Sequence, residues 1–492
     1  MVRWLGIMRL SYGRGSFRAH CVSALFCVLA LVPSATQDQI PPAPAPNSTA
    51  SSPDADATEP KSSPPVKERF LIDRFPDKPS LPPAFAIPIE PLGFTAPSAN
   101  YLGARNTMAS LDFLDENRLL LTFRIPGLLR RDPANNAETN ERQIRAVLLA
   151  LPTGAVEAEA TWTVHDRVRY LWPLKDGHFL VRDRNNLYES DATLALKPYL
   201  DFPGSLLWLE LDPEQLFLVT NSFEPAPKPT KPEAPEDGSS TAAWKPGEVS
   251  SPSNPLSPSS PSTASATITS DQDSPADASQ PDLVVRILRR DSGEVMLVSR
   301  VRAAVHLPIN SIGYLENLRS RGTEWILNLN YYTGGSKMLG RVASTCEPDD
   351  EFLSEQEILA TTCGSGGESG LVAVNTAGRT LWETKAPPTE VWPQMALAAN
   401  GSRLAWETLD TTHSIYAYAP MDAGDVKEQS VTVFDAANGD IVLVSPVSPI
   451  LDAGGNVAVS PSGRRVALLN AGAVQVFDLP PPAPLRGTNA VP

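Results

Sequence analysis

The sequence is poor in the residues that most often build metal or catalytic centres. It contains four cysteines and five histidines among 492 residues. His165, His178, His306 and His413 lie far apart, and no two have the spacing of metal ligands. There is no Gly-x-Ser-x-Gly elbow, and the glycine-rich run 364–370 lacks the Lys-Ser or Lys-Thr of a P-loop. These motifs therefore predict no catalytic, cofactor-binding or metal-binding residue.

Positive charge is also in short supply. The chain has 41 basic and 56 acidic residues, for a net charge of −15. A surface of that sign repels phosphate backbones, which argues against nucleic-acid binding. The acidic residues at 349–357 lack the Asp-x-Asp-x-Asp-Gly order of a calcium loop. We expect a solvated acidic loop there.

Apolar runs long enough to cross a membrane are missing as well. The apolar stretch Cys21–Val32 has 12 residues, short of the ~20 that a spanning helix needs. Four arginines and no acidic residue precede it. This pattern predicts a signal peptide over 1–34, cut between Ser34 and Ala35. The protein would then be secreted or periplasmic, in the cell envelope; the alternative is an uncut membrane anchor.

Cleavage would leave two cysteines in the mature chain, Cys346 and Cys363. A pair of cysteines in an exported protein favours a disulfide. Two buried free thiols are the alternative.

Prolines are plentiful, and their distribution sets the domain boundaries. The segments 35–84 and 224–281 are rich in proline, alanine and serine, a composition that predicts a disordered spacer and a disordered insert. The insert lies between two strand-like runs, 216–220 and 283–288, so it interrupts a repeat and does not link two domains. The tail 481–492 is also predicted to be disordered.

What the sequence does contain is a repeated phrase of apolar alternation broken by Asp-Gly, Asn-Gly or Ser-Gly turns, which is the signal of β-hairpins. Seven copies can be aligned between residues 86 and 480, with about 48 residues in each once the insert is removed. The clearest parts of the copies are 110–154, 170–188, 206–293, 322–342, 357–378, 395–439 and 456–478.

Two copies resemble known repeats. The segment Leu371–Glu383 resembles the PQQ-like repeat of quinoprotein-type propellers, with a small-residue-Gly turn followed by a tryptophan. The turn in Val457–Ala467 is similar to the Ser-Pro-x-Gly turn of WD40-type repeats. The resemblance implies a β-propeller. It does not imply a quinone cofactor, because no metal-binding carboxylates or stacking groups are identifiable, and the Gly-His and Trp-Asp pairs of strict WD40 repeats are missing.

We therefore predict an all-β fold: a single β-propeller over 85–480, with seven blades of four antiparallel strands. The last copy lacks its fourth strand. The segment Ala86–Phe94 is expected to supply that strand and to close the ring, since closure removes free strand edges.

The predicted function is non-catalytic. We expect a binding or scaffold module that holds an unidentified protein or glycan partner through face loops and the channel mouth. The alternatives are an enzyme with an axial funnel (a lactonase, a glycan-cleaving enzyme or a quinoprotein dehydrogenase) and an envelope-assembly factor. An enzyme should bring three or more Asp, Glu, Asn or His side chains together near the axis, and a binder should expose an apolar or aromatic face patch. Tryptophans on the strands would line a pocket or, as we expect, pack between blades.

Overall fold

The computed structural model describes residues 68–70, 79–98, 102–103, 106–126, 141–224, 282–415 and 421–483. The predicted signal peptide with its Ser34–Ala35 cleavage site lies outside the described residues, as does nearly all of the predicted insert. Within the described part of the chain, no helix is long and apolar enough to span a membrane.

The strands form a seven-bladed β-propeller, which confirms the predicted fold class. Apart from the N-terminal strand in blade 7, the strands of each blade pair in chain order, and residues of the first strands line the channel cavities. Blades 1 to 3 consist of β3 (Ala109–Asp115), β4 (Arg118–Arg124), β5 (Arg142–Ala150) and β6 (Ala155–Val164); β7 (Leu171–Pro173), β8 (Phe179–Asp183), β9 (Asn186–Ser190) and β10 (Lys197–Asp201); and β11 (Ser205–Leu211), β12 (Phe217–Phe223), β13 (Leu283–Arg289) and β14 (Val295–Val301). Blades 4 and 5 consist of β15 (Gly313–Arg319), β16 (Glu324–Tyr331) and β17 (Ser336–Ala343); and β18 (Asp349–Ser354), β19 (Glu357–Cys363), β20 (Ser369–Asn375) and β21 (Thr380–Ala386). Blades 6 and 7 consist of β22 (Glu390–Leu397), β23 (Arg403–Thr411), β24 (Val426–Asp435) and β25 (Ile441–Pro446); and β26 (Val457–Val459), β27 (Arg465–Asn470), β28 (Ala473–Asp478) and the N-terminal β2 (Phe85–Pro88).

Blade 4 has an irregular innermost strand. Ile309 forms a single antiparallel bridge with Tyr314 of β15. The Leu315 N–H donates to the Pro308 carbonyl, at 2.8 Å. Pro308 has no N–H to donate, so a regular ladder cannot form here. Residues 307–310 therefore occupy the inner position as a short extended segment.

The ring is closed by the N-terminal strand, as predicted. β2 pairs antiparallel with β28, with Ile87 opposite Val474. Ile87 is buried and lies directly over Gly154, where a Cβ would come within 2.7 Å of it. The turn η1 (Glu90–Leu92) then leads the chain towards blade 1. Blade 7 thus combines the first strand of the propeller in chain order with its last three strands.

Two short parts of the predicted spacer contact the outer edges of other blades. β1 (Glu68–Phe70) pairs in parallel with β21 of blade 5. The Ser80 N–H donates to the Val444 carbonyl, and the Val444 N–H donates to Ser80 Oγ, both at 2.8 Å, on the outer strand of blade 6. The N-terminal segment therefore contacts blades 5, 6 and 7.

The hydrophobic core lies between neighbouring blades. Trp162 of blade 1 donates its indole N–H to the Leu194 carbonyl of blade 2, at 3.1 Å. Trp382 of blade 5 donates to the Ala436 carbonyl of blade 6, at 2.6 Å. Both tryptophans are buried, so at these positions they pack between blades.

Cys346 and Cys363 form the predicted disulfide, with their Cα atoms 5.5 Å apart. The bridge links the segment before β18 to the end of β19. A disulfide is compatible with an oxidising compartment.

Candidate functional site

The propeller has two faces, and two cavities lie along its channel. The turn face carries the turns between the first and second strands of the blades, among them 212–216, 311–312, 355–356 and 399–402. A cavity of about 190 Å³, the turn-side cavity, is lined by Pro213 and Gln215 from one of these turns. A smaller cavity of about 100 Å³, the far-side cavity, is lined by residues at the beginnings of the inner strands.

Among the described residues, charged side chains from the innermost strands of the blades, or from the segments just before them, lie at or beside the channel. Asp112, Arg169, Trp172 and Gln394 line both cavities and therefore lie at the junction between them. Charged residues of blades 1 to 5 at or beside the channel include Asp112, Arg169, Glu210, His306, and Asp349 with Glu351.

His306 lies between two carboxylates from different blades. Its Nε2 is 2.7 Å from Glu210 Oε2, and its Nδ1 is 2.6 Å from Asp349 Oδ1. Burial alone would lower the pKa of His306, but the two carboxylates together outweigh it and raise that pKa well above its ordinary value. The edge-to-face contact with Trp208, at 5.0 Å between ring centroids, orients the imidazole. The imidazolium thus ties blades 3, 4 and 5 together.

Both contacts are within hydrogen-bond distance, so each carboxylate favours the charged form of the ring by charge and by hydrogen bonding. The two carboxylates together therefore favour the protonated imidazole. A protonated imidazole cannot serve as a general base.

Asp112 and Arg169 form the charged junction between the cavities. Burial raises the pKa of Asp112 to about 7, although a hydrogen bond from Ser110 and the charge of Arg169 act in the opposite direction. Burial likewise lowers the pKa of Arg169, opposed by Asp112, Glu351 and Glu210. The Arg169 Nε–H donates to the Leu171 carbonyl at 3.0 Å, which fixes the guanidinium beside Trp172.

The turn-side cavity has more carboxyl groups than cations. Asp112, Glu210, Asp212 and Glu351 line it, together with the single guanidinium of Arg169. Burial is the main cause that raises the pKa of Glu351, and it raises the pKa of Asp212 to about 6. Burial therefore favours the protonated forms of Asp112, Asp212 and Glu351.

The far-side cavity has a different character. Trp172, Trp208 and Leu207 line it, with Arg182 at its wall. The Arg182 guanidinium donates hydrogen bonds to Asp166 Oδ2 at 3.1 Å and to the Leu207 carbonyl at 3.0 Å. Trp172 and Trp208 therefore do line a channel pocket, unlike the tryptophans between blades.

An apolar patch lies on the turn face beside the mouth of the turn-side cavity. Leu216 is 54% exposed and Ile312 is 51% exposed, on the turns of blades 3 and 4. Beneath them the rings of Phe217 and Tyr332 pack with centroids 5.4 Å apart, and the Tyr332 N–H donates to the Ile312 carbonyl at 3.1 Å. These four residues form the turn-face patch.

Hydrogen bonds hold both turns of the patch in place. Asp212 Oδ1 accepts from the Phe217 N–H at 2.7 Å. Gln215 has a φ of 58°, and its side chain accepts from the Lys175 N–H at 2.6 Å. In blade 4, Asn310 Oδ1 accepts from the N–H of Ile312 at 3.1 Å. A left-handed non-glycine residue persists only where its surroundings hold it. The two exposed aliphatic side chains thus stand on rigid supports.

The expected solvated acidic loop at 349–357 is wrong. Residues Asp349–Ser354 form β18, the innermost strand of blade 5, and Asp349 and Asp350 are buried. The charges are there because this strand borders the channel. Burial raises the pKa of Asp350 to about 7.

The other histidines lie apart from His306. His165 contacts Asp183 at 2.9 Å and His178 contacts Glu189 at 3.0 Å, both in blade 2 or just before it. His413 lies beside Thr412, after β23. Among the described residues, no group of three or more His, Cys, Asp or Glu side chains has the arrangement of a metal site.

No protein-family model and no curated protein matches the chain. Among solved structures, it is similar to an acylaminoacyl peptidase of Pyrococcus horikoshii, with 11% identity and a TM-score of 0.41 over 76% of this chain and 51% of that one. It is also similar to the β-propeller domain of the Trilobed protease from Pyrococcus furiosus, with 9% identity and a TM-score of 0.39 over 77% and 99% of the two chains. A third is Chaetomium thermophilum Sqt1 bound to the N-terminus of ribosomal protein L10, with 10% identity and a TM-score of 0.37 over 76% and 97%. The chain spans about half the length of the peptidase. Likeness at this level says nothing about activity or partners.

Proposed function

We propose that this chain is a non-catalytic binding module that engages a protein partner on its turn face, at the mouth of the channel. The observation that carries the proposal is the turn-face patch, where Leu216 and Ile312 are about half exposed on hydrogen-bonded turns. Exposed aliphatic side chains on rigid turns lose little entropy on binding. Contiguous exposed apolar patches are typical of interaction sites.

The chemistry of the channel supports binding over catalysis. His306 is paired with two carboxylates, and Arg169 is fixed beside Trp172. A nucleophile paired with a free base is the usual mark of covalent catalysis, and the described channel residues include none.

Site-specific photo-crosslinking tests the proposal. A photoreactive amino acid at position 216 should capture a partner from the secreted or envelope fraction of the producing cells. The matched control is the same amino acid at position 156 in the outer strand of blade 1, where Val156 is 47% exposed. Equal capture at both positions, or capture at position 156 alone, would contradict the proposal.

A second candidate is an enzyme with an axial site. It is favoured by the convergence of Asp112, Glu210, His306 and Glu351 at the channel, which meets the number of side chains expected of an enzyme. Asp112, with a pKa of about 7, would be the acid or base. Hydrolysis of glycoside and lactone substrates that is lost in Asp112→Asn would support this candidate.

We also propose that the protein is exported and that its repeats are of the PQQ-like or WD40-like type. Export is supported by the N-terminal signal pattern and is compatible with the disulfide. Membership of the PQQ-like or WD40-like repeats is supported by the Ser460–Gly463 turn, in which the Gly463 N–H donates to the Ser460 carbonyl at 2.9 Å. Secretion of a tagged full-length chain, with the N-terminus of the mature form sequenced, tests the first of these.

A further inference from the structure

The turn-face patch and the turn-side cavity are parts of one continuous surface. Pro213 and Gln215 line the cavity, and Leu216 follows them in the same turn. Ile312 joins this surface through Tyr332 and Phe217. An occupant of the patch is therefore next to the cavity mouth.

The size of the cavity limits what can enter it. Pockets for whole small ligands usually have volumes of about 300–1,000 Å³. The turn-side cavity measures about 190 Å³, which suits one long side chain better than a complete ligand.

The charge of the cavity selects the side chain. Asp112, Glu210, Asp212 and Glu351 line it against one guanidinium, and Glu210 is already paired with His306. Asp212 accepts backbone hydrogen bonds from its own turn. Asp112 and Glu351 line the cavity and can receive a further cation; the charge of Arg169 already acts on both of them, and that of His306 acts on Glu351. The acidic character of the whole chain, at −15, also attracts a basic partner.

We propose that the turn face docks an extended peptide segment of a partner protein, with a lysine or arginine side chain in the turn-side cavity and a neighbouring apolar side chain on Leu216 and Ile312. This inference rests on the proposed function and names the chemistry of its partner. The basic group ion-pairs with Glu351 and Asp112, and the apolar residue covers the exposed aliphatic groups. A glutamate or aspartate in the same place would meet like charge in a confined space and be rejected.

Selection from a displayed library of random decapeptides tests this. On the full-length protein, the selected peptides should be enriched in a basic residue next to Leu, Ile, Val or Met. The enrichment should fall at least tenfold on Glu351→Gln and on the double variant Leu216→Ser/Ile312→Ser. The control Val156→Ser, on the exposed outer strand of blade 1, should select as the unmodified chain does.

Thermal unfolding of each variant shows that it is folded before selection. Enrichment of acidic peptides, an unchanged motif on Glu351→Gln, or no enrichment at all would overturn the inference. If peptide selection fails while position 216 still captures a partner by photo-crosslinking, the proposed function stands and only the partner chemistry is wrong. If both fail, the proposed function fails as well.

Discussion

Asp112 and His306 both have a raised pKa in the folded protein, but for different physical reasons. Burial favours the neutral form of Asp112 and raises its pKa to about 7. Two carboxylates favour the charged form of His306 and raise its pKa as well. In both cases the folded protein binds the proton more tightly than the unfolded chain, so stability falls with rising pH, beginning near the unfolded pKa of 3.8 for Asp112 and of 6.5 for His306. The two residues can therefore be tested separately.

Asp112→Asn should change how stability depends on pH. The folded protein binds the Asp112 proton more tightly than the unfolded chain, so ionisation of Asp112 costs stability as the pH rises from about 4 to about 7. The variant lacks this cost. Relative to the unmodified chain, its free energy of unfolding should be ~2–3 kcal/mol higher at pH 8 than at pH 5, measured by urea denaturation.

The control for this experiment is Asp291→Asn, whose carboxyl is 73% exposed near Arg289. It should leave the difference between the two pH values as it is in the unmodified chain. A pH dependence of Asp112→Asn identical to that of the unmodified chain would show that Asp112 is not desolvated.

His306→Gln should destabilise the protein by roughly 3 kcal/mol at pH 6, because it leaves Glu210 and Asp349 without their shared cation. The stabilisation by His306 is fully present below the unfolded pKa of histidine and is lost as the pH rises through its raised folded pKa. The destabilisation caused by His306→Gln should therefore be smaller at pH 9.5 than at pH 6. Chemical denaturation at the two pH values measures it.

The matched control is His178→Gln, whose side chain is 43% exposed beside Glu189. Its effect should be small at both pH values. A loss for His306→Gln that is the same at pH 6 and pH 9.5 would mean that the imidazole acts by packing alone.

At the scale of single elements, side-chain contacts between successive turns hold the blades together on the turn face. The Ser462 N–H of blade 7 donates to Glu116 Oε1 of blade 1 at 2.7 Å. The Asn400 side chain of blade 6 donates to the Ser462 carbonyl at 3.1 Å. The Ser311 N–H of blade 4 donates to Glu355 Oε1 of blade 5 at 3.2 Å. Between blades 3 and 4 the contact is the Phe217–Tyr332 ring pair instead, which leaves Leu216 and Ile312 facing solvent.

The disulfide covalently links the segment before the first strand of blade 5 to the end of its second strand. Cys346 and Cys363 are separated by 17 residues. On the chain-entropy account, a bridge across a loop of that length stabilises the fold by about 3 kcal/mol. The double variant Cys346→Ser/Cys363→Ser should show a correspondingly lower Tm by calorimetry.

Dithiothreitol provides the internal control for that prediction. It should lower the Tm of the unmodified chain to near that of the double variant and leave the variant itself unaffected. If dithiothreitol leaves the unmodified chain unaffected as well, the bridge does not contribute to stability.

For the whole molecule, ring closure depends on the N-terminal strand. Without β2, blade 7 would keep three strands and expose the edge of β28. A chain that begins at residue 79 keeps β2, the Ser80 contacts and the buried Ile87. A chain that begins at residue 89 lacks them. The first should unfold cooperatively with a Tm close to that of the full chain, and the second should aggregate or unfold at least 10 °C lower.

Light scattering and thermal unfolding of the two truncated chains, compared side by side, measure this. The shorter chain serves as the test and the longer as its matched control, since both lack β1. Equal stability of the two chains would refute closure by β2.

The sequence was enough to predict the ring but not the channel. Apolar alternation and small-residue-Gly turns mark the outer strands clearly, and the missing strand of the last copy identified β2. The inner strands are harder to recognise, because side chains that face the channel are polar and interrupt the alternation. Asp112 within β3 and Glu210 within β11 interrupt apolar runs, which weakens the strand pattern in the sequence. A charged residue inside the first strand of successive repeats is the signal that could have found them.

The rest of the site depends on contacts that spacing alone does not encode. Pro308 makes the inner strand of blade 4 irregular, and this places His306 between carboxylates that are 96 residues before it and 43 residues after it. The exposure of Leu216 and Ile312 likewise results from turn geometry set by Gln215 and Asn310. Side chains this far apart in the sequence meet because the closed ring brings the innermost segments of neighbouring blades together.

Hydrogen–deuterium exchange on the protein bound to its captured partner or to a selected peptide tests whether partners dock on the turn face. We predict protection at 210–217, 311–314 and 350–355, on the turn face of blades 3 to 5, with the outer strands at 155–164 and 295–301 unchanged. Protection confined to those outer strands, or to the opposite face of the ring, would contradict it.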